Sequence, residues 1–188
     1  MGLPDSVHNI YGFLSPAEMD LLYRLAADVP AGGVIVEIGS FQGKSTTCLG
    51  LGAKEAHAQV WAVDPHEECK PNEATHYGME NHAALLKNLV EFSVADVVRV
   101  VAIPSVDVAA MWHGQTVDLL WIDGSHQYED VRRDFVFWQH RVCPGGKIVM
   151  HDASGHFPGV SQLLSEIKEA GYWRVVKEID AIVVMMRV

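Results

Sequence analysis

Short apolar runs alternate with amphipathic stretches along this chain. VIVEI (34–38), VWAVD (60–64), VVRVVAI (97–103), VDLLWID (117–123) and KIVMHD (147–152) are compact and rich in Val and Ile. Such runs read as strands buried on both faces. The segments between them carry helical spacing. SPAEMDLLYRLAADV begins Ser15, Pro16, Glu18, a capping box with proline at the first helical position. Residues 44–56 follow the first strand as a helix. In ENHAALLKNLVEF (80–92), Leu85, Leu86, Leu89 and Phe92 share one helical face. Ser105 is the candidate cap of a short helix. HQYEDVRRDFVFWQHRV places Tyr128, Val131, Phe135 and Trp138 on a core stripe and leaves Arg132, Arg133 and Asp134 as a solvated face. VSQLLSEIKEAG forms the last helix, closed by Gly171, and WRVVKEI and AIVVMMRV pair as strands around Asp180. The pattern predicts an α/β fold, a doubly wound, mostly parallel seven-stranded sheet with an antiparallel terminal strand pair.

The 188 residues suit a single domain, 1–188, with an N-terminal helical cap over 1–30. PHEECKPNEATHYGM (65–79) breaks the rhythm and is the candidate lid loop. Fourteen basic against 24 acidic residues leave a net charge of −10, which argues against a nucleic-acid partner. No run is long and apolar enough for a membrane span, and no secretory signal opens the chain. Three scattered cysteines fit a reducing, cytoplasmic setting.

Chemistry enters with VEIGSFQGKSTT (36–47). A phosphate-binding P-loop needs four residues between its glycines, and here Ser40, Phe41 and Gln42 make only three. A dinucleotide fingerprint needs a central glycine, and Phe41 takes that place. S-adenosylmethionine (SAM) relaxes both demands. Glu37 at the end of strand one can face its ammonium. Gly39 and Gly43 let the chain turn, and the following helix start favours its carboxylate. Asp64, about twenty residues beyond the glycines, is placed to accept the ribose hydroxyls. His66, Cys69 and His76 raise a zinc reading that lacks a fourth ligand. His76, Tyr77 and His82 are alternatively candidates for lining an acceptor pocket.

EIGSFQGKS, VWAVDP, WIDGSHQYEDVRRD and PGGKIVMHD together resemble class I SAM-dependent methyltransferases with a Rossmann-like sheet. Among these they are similar to the compact, metal-dependent O-methyltransferases related to macrocin and mycinamicin sugar O-methyltransferases. The resemblance runs from about Ile10 onward. It implies that Glu37, Gly39, Ser40, Gly43, Lys44 and Ser45 hold SAM, with Asp64, nearby His66 and Ser105 toward the ribose and adenine. It implies Asp123 and Asp152 as ligands of Mg²⁺ or Mn²⁺, with Asp123 also beside SAM, and His126 as general base. Some relatives carry two adjacent acids where this chain has His151-Asp152. His151 is therefore a candidate third ligand that weakens a magnesium site or biases it to Mn²⁺. The implied activity is methyl transfer to a hydroxyl of a small molecule, a sugar or saccharide, leaving S-adenosylhomocysteine (SAH). A catechol or phenol acceptor, a non-catalytic SAM-binding module and a nucleotide-binding protein are the alternatives. A homodimer is the expected assembly, because so small a domain has little surface to enclose an acceptor.

Overall fold

The computed structural model describes residues 2–67, 77–113 and 115–187. A 3-10 turn (Asp5–Asn9) precedes α1 (Pro16–Ala27). There follow β1 (Val34–Ile38), α2 (Lys44–Ala56), β2 (Gln59–Val63), α3 (Met79–Glu91), β3 (Val98–Val101), α4 (Ser105–Met111) and β4 (Val117–Ile122). The chain continues through α5 (Tyr128–Trp138), β5 (Val142–Met150), α6 (Pro158–Ala170), β6 (Trp173–Ile179) and β7 (Ile182–Arg187). The seven strands lie in the order β3-β2-β1-β4-β5-β7-β6. β1 to β5 run parallel, and β7 pairs antiparallel with both β5 and β6. This is the mixed sheet that the apolar pattern predicts.

Alternation along β1 divides the core. Ile35 joins Met19, Leu22, Leu49 and Leu85 of α1 to α3 on one face. Val34, Val36 and Ile38 join Phe135, Trp138 and Leu163 of α5 and α6 on the other. Leu120 and Ile122 of β4 repeat that split against Leu119 and Trp121. Helices on both faces explain why the strands read as continuous apolar runs.

Local signals placed most termini. Ser15 accepts the Glu18 amide while Glu18 accepts the Ser15 amide at 2.8 Å, so the capping box is formed. Gly171 ends α6 in the left-handed region, at φ 74°. Several boundaries differ from the expectation. β2 stops at Val63, so Asp64 follows the strand. β3 is shorter than 97–103, and β5 starts earlier, at Val142. Ser105 does not cap α4. Pro104 holds that position, and the Ser105 hydroxyl donates instead to Asp134. Asp134 is correspondingly buried, contrary to a solvated face, whereas Arg132 and Arg133 are exposed.

Candidate active site

Strand order reverses between β1 and β4, which opens a crevice at their carboxyl ends. A cleft of about 1260 Å³ lies there. It is lined from the β1 loop by Gly39, Ser40, Phe41, Lys44 and Ser45, and after β2 by Asp64 and His66. Ser105 lines it after β3, Asp123 and His126 after β4, and His151 and Asp152 after β5. Glu37 and Gly43 are not on the wall.

The β1 loop is built by close approach. Gly39 takes φ +87°, and a Cβ there would sit 2.2 Å from the Asp123 carbonyl oxygen. Glycine thus lets the ends of β1 and β4 touch. Gly43 caps α2 at φ 87° and packs on Leu85. Beneath the loop, Glu37 is fully buried and accepts the Ser45 hydroxyl at 2.5 Å. Burial pushes Glu37 up to about 8, against the pull of that hydrogen bond. Glu37 therefore sits beneath the loop, bonded to Ser45 and off the wall of the cleft. Asp64 braces the loop from the β2 side. One carboxylate oxygen accepts the amides of Ser40 and Phe41, both at 2.9 Å, and the other accepts the His66 amide at 2.9 Å. A carboxylate has further lone pairs for ribose hydroxyls. Lys44 reaches back to the carbonyls of His8 and Gly12, at 3.5 and 3.4 Å, and fastens the N-terminal segment beside the cleft.

Acids and imidazoles converge after β4 and β5. Ile122 and Met150 are register partners, and Asp152 turns the chain at φ 57°. Asp123, His126 and Asp152 bring ligand atoms within 4.8 Å of one another, the grouping among the described residues suited to a metal ion. His126 Nε2 lies 2.6 Å from Asp152 Oδ2, and Phe157 packs on its ring with centroids 4.1 Å apart. That hydrogen bond raises His126 above its ordinary value despite partial burial. Burial raises Asp123. Burial also opposes charge on Asp152, but hydrogen bonds from His126 and His151 outweigh it and hold that carboxyl well below its ordinary value.

His126 completes the grouping with Asp123 and Asp152, and His151 sits beside it. His151 Nδ1 lies 3.2 Å from Asp123 and 3.3 Å from Asp152, and its Nε2 lies 3.5 Å from Glu18. Burial disfavours its charge, yet these carboxylates push the ring up to about 12. In its protonated form the imidazole has no lone pair for a metal.

Sequence reading missed three features. Glu18 also accepts the Ala181 amide at 2.8 Å and so ties α1 to the β6–β7 turn. Ser15 donates to Asp180 at 2.6 Å across the same junction. Tyr11, Phe13, Phe41 and Tyr77 form an aromatic cluster, with ring centroids 5.0 to 6.1 Å apart. Three of these rings line the cleft. Only the run Tyr11-Gly12-Phe13 hinted at it. Of the other acceptor candidates, Tyr77 lines the cleft and His82 does not, while Cys69 and His76 lie outside the described residues.

A sheet of this order, with its cleft at the switch point, defines an α/β Rossmann-like methyltransferase fold. The family model described as a methyltransferase domain matches residues 36–153, more than half of the chain, and the chain belongs to that family. It is 28% identical over 153 residues to the uncharacterized protein y4gI of Sinorhizobium fredii, covering 79% of this chain and 15% of that protein. The chain thus spans a small part of that relative's length. Among solved structures, it is similar to cofactor-bound Rv0187 from MTB, with TM-score 0.73 and 19% identity over 93% of this chain and 81% of that one. It is also similar to the O-methyltransferase from Bacillus cereus in complex with SAH, with TM-score 0.71 and 16% identity, covering 97% and 86%. No helix among the described residues is long and apolar enough to cross a membrane.

Proposed function

We propose that the chain is a SAM-dependent O-methyltransferase that methylates a hydroxyl of a small molecule, a sugar or saccharide. The observation that carries this reading is one cleft shared by the Gly39–Ser45 loop, Asp64 and the Asp123–His126–Asp152 cluster. The SAH- and cofactor-bound structures of the same fold support SAM as the methyl donor. The cleft exceeds the usual volume of a single-ligand pocket, which leaves room for an acceptor beside the cofactor.

In this mechanism the Gly39–Ser45 loop and the start of α2 seat the methionine end, and Asp64 takes the ribose hydroxyls. The acceptor oxygen attacks the sulfonium methyl in line. The O–C bond forms as the C–S bond breaks, and the thioether leaves as SAH. The hydroxyl proton passes to Nδ1 of His126, whose Nε2 is held by Asp152. Phe157 fixes the plane of that ring. The donor set of Asp123 and Asp152 with the adjacent imidazole fits a divalent cation such as Mg²⁺ or Mn²⁺. Bound there, the cation would lower the pKa of the acceptor hydroxyl. The Phe13 and Phe41 rings suit the flat C–H face of a sugar ring, whereas a catechol would stack as well. Comparing the two acceptor classes separates them.

The test is calorimetric titration with SAM and SAH, with ATP and NADH as controls, each with Mg²⁺ or EDTA. It is followed by a methyl-transfer assay on sugar and catechol acceptors. SAH binding without ATP binding supports the reading. ATP binding with none for SAH sinks it. Asp123→Asn abolishes turnover and its metal response, and His126→Ala loses turnover but keeps SAH affinity. Unchanged metal-dependent turnover in Asp123→Asn refutes the assignment of that carboxylate.

A further inference from the structure

The segment ahead of α1 forms part of the cleft wall. Gly12, Phe13, Leu14 and Ser15 all line it. The segment is tied at both ends. Lys44 Nζ donates to the Gly12 carbonyl at 3.4 Å, and the Ser15 hydroxyl donates to Asp180 Oδ2 at 2.6 Å. Between the ties the side chains diverge. Leu14 joins the core cluster of Met19 and Leu22. Phe13 is 62% exposed. A phenyl ring gains from burial, and this one is held out of the core on a fastened backbone. Its ring is braced rather than covered. Phe41 stacks on it with centroids 6.1 Å and planes 25° apart, and Tyr11 meets it at an edge, 5.7 Å away.

Strand order says what comes to meet that ring. On the reading above the cofactor takes the loop after β1 and Asp64 after β2, whereas β5, β7 and β6 lie beyond β4, away from β2 and β3. A short relay joins their end of the cleft to the Asp123 cluster. His151 Nδ1 lies 3.2 Å from Asp123 and its Nε2 3.5 Å from Glu18, whose Oε1 accepts the Ala181 amide at 2.8 Å. Asp180 precedes Ala181 in the β6–β7 turn and lines the cleft. The turn accounts for a short polar residue at φ 49°. It does not account for a carboxylate fastened to the cleft wall by Ser15, whose Oδ1 has no hydrogen-bond partner among the described residues. Resting on the O-methyltransferase reading, we propose that Phe13 and Asp180 are the acceptor-reading pair of this site. Phe13 packs on the C–H face of the acceptor's sugar ring, and Asp180 Oδ1 accepts a hydroxyl other than the one that is methylated. Ser15 is the positioning residue that holds the carboxylate. A hydroxyl bonded to an ionised carboxylate makes one of the stronger hydrogen bonds. A site built around such a hydroxyl rejects the analogue lacking it more strongly than an apolar contact can.

The experiment is NMR titration of the SAH-loaded chain with methyl glycosides of the hexoses, with their monodeoxy forms, and with catechol. Wild type binds a glycoside of the panel, and removing one particular hydroxyl from it weakens binding at least about tenfold. Phe13→Ala weakens the parent glycoside about tenfold, and Phe13→Tyr, which keeps the ring, stays within about threefold of wild type. Asp180→Asn weakens the parent glycoside about tenfold but leaves the form lacking the read hydroxyl within about threefold, because that form never made the bond. Asparagine suits the left-handed backbone at 180, and thermal unfolding confirms that each variant is folded. If Asp180→Asn does not fold, Ser15→Ala, which releases the same carboxylate, takes its place. SAH affinity stays within about threefold in every variant. Equal losses for the parent and all its deoxy forms in Asp180→Asn mark a structural role and overturn the reading of a hydroxyl. Unchanged affinity in Phe13→Ala overturns the platform. Binding of catechol but of no glycoside overturns the pair and leaves the methyltransferase reading standing, as does binding of neither. No binding of SAH at all overturns both.

Discussion

Glu37 offers a test in which burial fixes sign and size. Its carboxyl is fully buried, has the Ser45 hydroxyl as partner on one oxygen, and is pushed up to about 8 from the ordinary 4.5. In the unfolded chain it titrates near 4.5. Between these values the folded chain holds a proton that the unfolded chain has released. Stability therefore falls as pH rises across that window, with the cost absent below it and complete above it. Each pH unit is worth about 1.4 kcal/mol, so the full cost is on the order of 3–5 kcal/mol. Glu37→Gln keeps the shape and the acceptor for Ser45 while removing the ionisation. The variant matches wild type within about 1 kcal/mol at pH 4.5 and exceeds it by several kcal/mol at pH 8. Urea denaturation of both proteins at half-unit pH steps gives the difference curve. Because Glu37 does not reach the cleft, SAH affinity stays within about threefold of wild type. A difference that is flat with pH, or a variant less stable throughout, would refute the argument that burial dominates here.

Two further outcomes follow from the cleft. Gly39→Ala forces a Cβ onto the Asp123 carbonyl oxygen in a left-handed backbone, so urea denaturation shows a loss of about 2–4 kcal/mol and SAH binding is lost with the β1–β4 contact. The Asp152 hydrogen bond raises His126, so kcat/KM falls as pH drops through a value above 6.5, where the base becomes protonated. Asp152→Asn moves that acid limb down toward 6.5 and lowers the plateau, and an unmoved limb assigns the titration to another group.

Periodicity carried most of the fold because the central strands β1 and β4 are buried on both faces and the long helices on one. It also carried more than residue type allowed. Positions 131, 134, 135 and 138 fall on one helical stripe, and all four are buried. The spacing marked 134 as a core position, but an aspartate there read as solvated. The acid is tolerated because Ser105, far away in sequence, donates to it. Glu18 poses the same difficulty. Its capping box is a local signal and was legible, whereas its second oxygen serves Ala181 and His151 across the fold. The aromatic cluster was hidden for a related reason, since Phe13 and Phe41 meet only after α1 and the β1 loop have packed.

His151 shows how one residue can change the chemistry while the motif around it survives. The sequence offered it as a metal ligand because it stands next to Asp152. Folding places it among Asp123, Asp152 and Glu18, three carboxylates that follow β4, follow β5 and lie in α1. Three acids packed together without a cation would repel one another and raise each other's pKa. A protonated imidazole in their midst offsets that repulsion and keeps Asp152 ionised, and Asp152 in turn holds His126 Nε2. The charge that compensates the acids is therefore already present in the chain. On the proposed reading, a divalent cation at Asp123 and Asp152 would meet a positive ring at hydrogen-bond distance from both carboxylates.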